Sequence, residues 1–363
     1  MKDLGFRESV VMPSVFVHDE RDIALCLHVD DFLISASEDE LLWVRREISK
    51  RYELTSAILG PEHHHQQEGQ YLKRTIRWTR EGLVLEGDGR HAVELIKSMG
   101  MVNCRTVTTP MTPEDHKDEP KPDRADKEIK LDGAALRNYR KCTALTVYMA
   151  QDRPDLSAAA CHLARRMSEP TRGDEEKLRR VARYLRAFPR GQTLYHWQAD
   201  CRCLTLYTDS DWANDARTRR SHSGGVLLMG EHLISHWSRA QSVVALSSGE
   251  AELYSGVCGL TRAIGVRNLG QELWGPSWGS LTHCVDAVAC KAILLRKGAG
   301  AVKHIATKDL WVQESIKRLG IEVKKVDRSE NPSDSLASYS GPQTLQRHLE
   351  QLGCRVFYLT AAT

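Results

Sequence analysis

Four carboxylates stand where metal-dependent cleavage of a phosphodiester would need them. In the C-terminal half, Asp209 closes a first strand (CLTLYTD) and Glu252 lies one turn into a first helix. Asp286 ends a fourth strand (LTHCVD), and Asp334 opens a last helix (NPSDSLASY). Carboxylates at strand ends and helix starts can converge on one rim of a sheet, and such a cluster is costly unless cations neutralise it. Mg²⁺, or Mn²⁺ in its place, takes hard oxygen ligands and keeps waters, so a few carboxylates can hold a pair of ions about 4 Å apart. One ion would activate a water and the other would stabilise the leaving 3′ oxygen. By spacing alone, however, any four of the 48 acidic residues could be picked, and for each a solvated surface position is the simpler expectation.

The elements that must carry these residues follow from periodicity. CLTLYTD alternates, and GGVLLM and LISHWS flank a Gly-containing turn as a hairpin. The stretch from Ser247 to Leu273 begins at a serine cap and keeps Leu253, Val257, Leu260 and Ile264 in helical register. AVACKAILL and TKDLWVQESIKRL read as helices and IEVKKV as a strand. The order strand, hairpin, helix, strand, helix, helix, strand, helix predicts an α/β (α+β) class, a mixed sheet with helices on both faces.

Upstream, residues 23–29 and 32–36 are apolar runs that flank Asp30 and Asp31, which predicts a hairpin with the acidic pair at its turn. SEDE (37–40) reads as a capping box for a helix carrying Leu41, Val44, Ile48 and Tyr52. Residues 60–70 read as a loop. His63, His64 and His65 within it could bind metal, but consecutive histidines lack the fixed geometry of a helical pair, so a solvated loop is expected. YLKRTIRW and GLVLEG look like strands, with a helix near His91 to Met99. Residues 110–132, rich in proline and charge, read as a linker or strap. Helical periodicity then dominates from Leu136 to Ala187. In the last of these helices Leu178, Val181, Ala182 and Leu185 form the apolar face. Arg179, Arg180, Arg183 and Arg186 lie largely away from it, as a solvated face or a contact for a phosphate backbone.

Composition is that of an ordinary globular chain, 41% hydrophobic and 27% charged, which argues against wholesale disorder. Its 363 residues imply two or three domains. No apolar run reaches the roughly 20 residues that span a bilayer, and the N-terminus lacks the layout of a signal peptide, so an intracellular protein without a membrane partner is expected. Ten cysteines without C-x₂-C spacing suggest reduced, mostly buried thiols rather than disulfides or a zinc site. A net charge of +3 does not announce a nucleic-acid binder, but nine basic against four acidic residues between Arg165 and Arg190 make a local basic patch.

The words TDSDWA, RRSHSGGVLLMGEHLISHWSRAQSVVALSSGEAELYS, HCVDAVACKAI and KHI, in this order across about 130 residues, resemble the ribonuclease H segment of copia-type retrotransposon Pol polyproteins. The resemblance implies that the catalytic and metal-binding acids fall on Asp209, Glu252, Asp286 and Asp334, with Asp211 and Glu250 as near alternatives. Many ribonucleases H also use a histidine in the loop before the last acid, and VDRSENPSD has none. HVDDFLISASEDELLWVRREISKRYEL, with GFRESVVMPSVFVHDE before it, resembles the polymerase palm of the same polyproteins, which makes Asp30 and Asp31 a remnant of the polymerase metal site. His28 replaces the usual tyrosine, the Phe-Leu-Gly word near the primer-holding strands is lacking, and the 29 residues before Asp30 hold no earlier aspartate motif. YRKCTALTVYMAQDRPDLSAAACHLARRMSEP resembles the helical connection between polymerase and ribonuclease H.

The organisation so implied is a reverse-transcriptase palm remnant (1–60), a primer-grip or thumb-like segment (61–109), a linker (110–133), a helical connection (134–195), a ribonuclease H-like domain (196–345) and a C-terminal tail (346–363). The implied activity is Mg²⁺-dependent hydrolysis of the RNA strand of RNA/DNA hybrids, with polymerisation incomplete unless a palm and fingers partner or a longer polyprotein supplies the rest. The implied location is cytoplasmic, in a virus-like particle for an active element, or nuclear. A decayed remnant that binds nucleic acid without cutting is the alternative. An integrase-like nuclease shares the sheet topology but uses an Asp, Asp, Glu order, whereas here the glutamate comes second.

Overall fold

The structure, a computed structural model, describes residues 1–113, 126–199, 201–300, 304–305 and 309–358. Strands β1 (Arg7–Glu8), β2 (Val15–His18), β3 (Ile23–His28) and β4 (Asp31–Ser35) form an antiparallel meander in chain order. The β3–β4 hairpin is as expected, but the acidic pair divides. His28 pairs with Asp31, so Asp30 lies in the turn and Asp31 opens the return strand. Val29 is held there at φ 55°, a region that β-branched residues rarely enter. Helix α1 (Glu38–Ser49) packs Val44 and Ile48 on Ile23 and Leu25. Its capping box does not form. Ser37 occupies the N-cap without a side-chain bond, and Glu40, which should reach back, instead accepts two hydrogen bonds from Arg21 at 2.9 and 3.1 Å. Tyr52 lies beyond the helix and is exposed.

The expected loop ends early, because Glu68–Tyr71 is already a strand (β5). YLKRTIRW, expected as one strand, breaks at Leu72 and Lys73, both at positive φ, where the chain turns back into β6 (Arg74–Trp78), followed by β7 (Gly82–Glu86). Helices α2 (Arg90–Ser98), α3 (Gly133–Met149), α4 (Pro154–Ala164) and α5 (Arg172–Ala187) share a core that includes Leu95, Tyr139, Leu178 and Leu185. A buried ion pair fixes α4: Arg153 donates to Asp155, whose other donor is the Tyr184 hydroxyl of α5 at 2.8 Å. Of the expected linker, residues 114–125 lie outside the described residues. Its end is ordered against the start of α5, with Lys130 bridging to Thr171.

After β8 (Arg190–His196) comes the mixed sheet. Strands β9 (Cys203–Asp211), β10 (His222–Met229) and β11 (His232–Ala240) are antiparallel; then come α6 (Ser248–Trp274), β12 (Ser280–Val285), α7 (Val288–Leu295), α8 (Trp311–Leu319), β13 (Glu322–Lys325), α9 (Asp334–Ala337) and α10 (Pro342–Gln351). The order across the sheet is β11-β10-β9-β12-β13, with β12 parallel to both β9 and β13. Alternation along β9 sends Leu204 and Leu206 into one core with Leu253 and Leu260 of α6. On the other face Val226 and Leu228 meet Leu336 and Leu349. The expected mixed α/β sheet with helices on both faces is what forms, and among the described residues no helix is long and apolar enough to cross a membrane.

The chain end differs from the expected tail. A strand β14 (Cys354–Phe357) follows α10 and pairs antiparallel with β8, completing a sheet of order β14-β8-β7-β6-β5. The expected boundary at 195/196 therefore falls inside β8, and that at 345/346 inside α10. Residues 359–363 of the expected tail lie outside the described residues.

Gly224 shows how tightly α9 is laid on β10: a Cβ there would stand 2.4 Å from the Ser333 carbonyl oxygen and 2.6 Å from Ala337 N. Both are backbone atoms and cannot rotate away. Gly224→Ala should destabilise the chain by about 1–3 kcal/mol, read as a lower denaturation midpoint; an unchanged midpoint would contradict this packing.

Candidate active site

Three elements of the mixed sheet bring the predicted acids together. Asp209 lies near the end of the central strand β9, paired with Gly224 of β10, and is 4% exposed. Strand β12 runs parallel beside β9, so Asp286, directly after it, emerges at the same end. Helix α6 starts at Ser247, whose side chain accepts from Glu250 N. One turn in, Glu252 crosses back to β9, where its Oε1 accepts from Ser210 N at 2.9 Å and Ser210 Oγ at 2.8 Å. One oxygen from each of Asp209, Glu252 and Asp286 lies within 4.8 Å of the others.

Asp334 approaches without joining that group of three. Buried Asn331 donates to Thr208 O at 3.2 Å and accepts from the Ser333 hydroxyl at 2.6 Å, which ties the start of α9 to β9. Asp334 itself is 8% exposed, and its Oδ1 accepts from Nε and a terminal nitrogen of Arg328 at 2.9 and 2.7 Å. The loop where a histidine is lacking thus supplies an exposed guanidinium.

The electrostatics are those of crowded, buried anions. Burial, reinforced by the charges of Glu252, Asp334 and Asp286, pushes the Asp209 carboxyl well above the usual range. Burial is also the main cause that lifts Glu252 to about 8, against the pull of the Ser210 bonds. Asp286 is raised chiefly by burial, with Arg328 opposing. Glu252 Oε2 has no hydrogen-bond partner among the described residues. A buried carboxylate oxygen left unpaired is costly, and three oxygens of separate carboxylates facing one another are a hard-ligand set that suits Mg²⁺ or Mn²⁺.

The two near alternatives do not join the cluster. Glu250 points elsewhere: burial pushes its carboxyl up, but hydrogen bonds from His304, Leu246 N and the Tyr254 hydroxyl outweigh this and hold it below the usual range. His304 Nε2 is 2.9 Å from its Oε2. Ser210, Arg328 and Asn331 were not singled out from the sequence. Ser210 stood inside the word TDSDWA and Asn331 opens NPSDSLASY, while Arg328 lies in the divergent segment before Asp334.

The remaining predicted residues lie apart from the cluster. Exposed Asp30 and Asp31 line a cleft of about 470 Å³ with His28, Lys73, Arg74 and Tyr148. The arginines of α5 are mostly occupied. Arg180 donates to Thr109 Oγ1 at 2.9 Å, Arg183 to Arg105 O at 2.7 Å and Arg186 to Cys104 O, so these three fasten the segment before the linker. Arg179 is exposed and pairs with Glu175.

No family model matches the chain. Known proteins do. The retrovirus-related Pol polyprotein from transposon RE1 of Arabidopsis thaliana is 25% identical over 366 residues, covering 96% of this chain and 23% of that protein. The Pol polyprotein from transposon TNT 1-94 of Nicotiana tabacum is 28% identical over 326 residues, covering 86% and 23%. The chain thus spans about a quarter of the length of these relatives. Among solved structures, a foamy viral protease-reverse transcriptase in complex with RNA/DNA hybrid matches 84% of this chain and 36% of its own with TM-score 0.46 at 12% identity. The LC11 ribonuclease H1 in complex with RNA/DNA hybrid matches 37% and 92% with TM-score 0.27 at 14% identity.

The raised carboxyls make stability depend on pH. Glu252, which would ionise near 4.5 in the unfolded chain, keeps its proton to about 8 in the fold. Between those values the unfolded chain binds fewer protons, so stability falls as pH rises through the window. Metal-free protein should therefore melt at a lower temperature at the upper end of that window than at the lower end. Asp209→Asn, which removes one charge from the cluster, should raise the melting temperature and flatten the dependence. A melting temperature that rises across this window and is unmoved by Asp209→Asn would contradict these electrostatics.

Proposed function

We propose, on the premise that this chain is homologous along most of its length to the Pol polyproteins of copia-type retrotransposons, that it hydrolyses the RNA strand of RNA/DNA hybrids with a divalent metal ion. The observation that carries this is the convergence of Asp209, Glu252 and Asp286 within 4.8 Å at one end of the mixed sheet. These three residues, with Asp334 beside them, would hold Mg²⁺ or Mn²⁺, which when bound supplies Lewis-acid charge at the phosphodiester and a water of lowered pKa. Ser210 holds Glu252 by one oxygen and leaves the other without a hydrogen bond among the described residues. Arg328, exposed on its outer side, restrains Asp334 and offers a positive charge to a phosphate arriving at the cluster. A hybrid would be held through its shape and phosphates, without sequence readout. The basic helix α5 supports this less than its arginine count suggests, since three of the four already serve the fold.

In the same proposal the segments keep their roles as palm remnant, connection and ribonuclease H-like unit. Asp30 and Asp31 would belong to the polymerase metal site of those polyproteins. The place of action would be the cytoplasm, within a virus-like particle, or the nucleus. One observation favours a second function, a remnant that binds nucleic acid without cutting it. The Arg328 guanidinium already neutralises Asp334, which a fully active metal site would leave to cations.

A labelled RNA/DNA hybrid incubated with the chain and Mg²⁺ separates the two. Hydrolysis of the RNA strand should occur, fall ~100-fold or more in Asp286→Asn through loss of several kcal/mol of charge stabilisation, and persist within a few-fold in Glu250→Gln. Binding of the hybrid without cutting would favour the remnant; equal cutting by the parent chain and Asp286→Asn would sink the catalytic assignment.

A further inference from the structure

Outside the carboxylate cluster, one further group of metal-ligating side chains converges among the described residues: Glu38, His64 and His65. The histidine run, expected as a solvated loop, is folded back on the start of α1. Backbone bonds close the loop on itself, from Gln66 N to Ile58 O at 2.9 Å and from His65 N to Glu62 O at 3.0 Å, while Gln67 Nε2 donates to Gly60 O at 3.0 Å. His64 Nε2 lies 2.8 Å from Glu38 Oε1, and His65 Nε2 lies 3.3 Å from the same oxygen.

His65 marks this as a built site. Its side chain is 6% exposed, and Nε2 faces the Glu38 carboxylate at 3.3 Å without the geometry of a full hydrogen bond. The ring is seated against Gly60, where a Cβ would come within 2.4 Å of Nδ1, so the loop must carry glycine there to admit the imidazole. The two rings are inclined at 60° with centroids 4.4 Å apart, so they meet the carboxylate from different directions instead of stacking.

We propose that Glu38, His64 and His65 form a three-ligand site for a divalent transition-metal cation of the zinc type, with water completing the coordination. Two imidazoles and one carboxylate suit such a cation and not Mg²⁺, which prefers oxygen alone. Ligand atoms around a tetrahedral zinc, at about 2.0–2.2 Å from it, stand roughly 3.3 Å apart, close to the spacings found here. A ring that offers Nε2 to a cation carries its proton on Nδ1, so loading exchanges the long 3.3 Å bond that His65 Nδ1 accepts from Glu62 N for the metal bond. The consequence is mechanical. The cation staples the loop leading into β5 to the first turn of α1, and so joins the N-terminal sheet to the sheet that begins with β5.

The test is a count of Zn²⁺ bound to the full chain in the presence of excess Mg²⁺, which would compete at the carboxylate cluster. Glu38→Gln and His64→Gln change exposed side chains and leave His65 in its seat, so both fold. Each should bind one equivalent less than the parent, or bind it at least about tenfold more weakly, and Zn²⁺ should protect residues 58–67 from proteolysis in the parent alone. Equal stoichiometry and affinity in parent and variants, or no Zn²⁺ bound by the parent, would overturn the proposal.

Discussion

Three carboxylates crowded at the end of one buried strand repel one another, and much of the mixed sheet is arranged to hold them there regardless. Nothing in the hydrophobic core calls for Asp209, Glu252 or Asp286; each is placed against its own solvation. The repulsion has two outlets, protonation or a cation, and the raised carboxyls are the first of these. A fold that relaxed instead, by letting α6 slide or β12 shift, would lose the fully buried packing of Leu253 and Leu260 on Leu204 and Leu206. Apolar burial of that kind, worth roughly 25 cal/mol per Å², holds the acids in place.

Rigid support comes from both faces. Register between β9 and β12 puts Asp209 and Asp286 at one end, and the Ser210 bonds hold Glu252 over them. On the opposite face Asn331 and the close approach of α9 to Gly224 set Asp334. The acid tied by a bond to an exposed arginine is also the one outside the group of three oxygens, so the fourth position is the adjustable one.

Much of this was legible in the sequence because strand alternation and helix starts report directly on which way a side chain points. CLTLYTD, the serine cap and LTHCVD put Asp209, Glu252 and Asp286 at element ends, and the resemblance to the ribonuclease H segment of copia-type polyproteins singled them out from the other acids; a buried sheet punishes a register error by turning every side chain to the wrong face. What was not legible depended on contacts distant in sequence. Ser37 and Glu40 have the letters of a capping box, yet Arg21 takes the glutamate. Four residues, CRVF, carry too little pattern to announce a strand, and β14 exists because β8 offers it an edge. The arginines of α5 looked free for solvent or for a phosphate backbone because their partners at 104–109 lie some seventy to eighty positions away. His64 and His65 had no third ligand in view until the loop met Glu38.

The central claim, that Asp209, Glu252 and Asp286 are a cation site held open by the fold, is tested most directly by calorimetric titration of Mg²⁺ into the chain in buffers of different ionisation enthalpy. Carboxyls that keep their protons near neutrality must release them when a cation binds. Binding should be accompanied by proton release, tighten as pH rises toward about 8, where Glu252 gives up its proton, and be lost in Asp209→Asn. Mg²⁺ binding that releases no protons, keeps the same affinity across that range and survives Asp209→Asn would contradict the account.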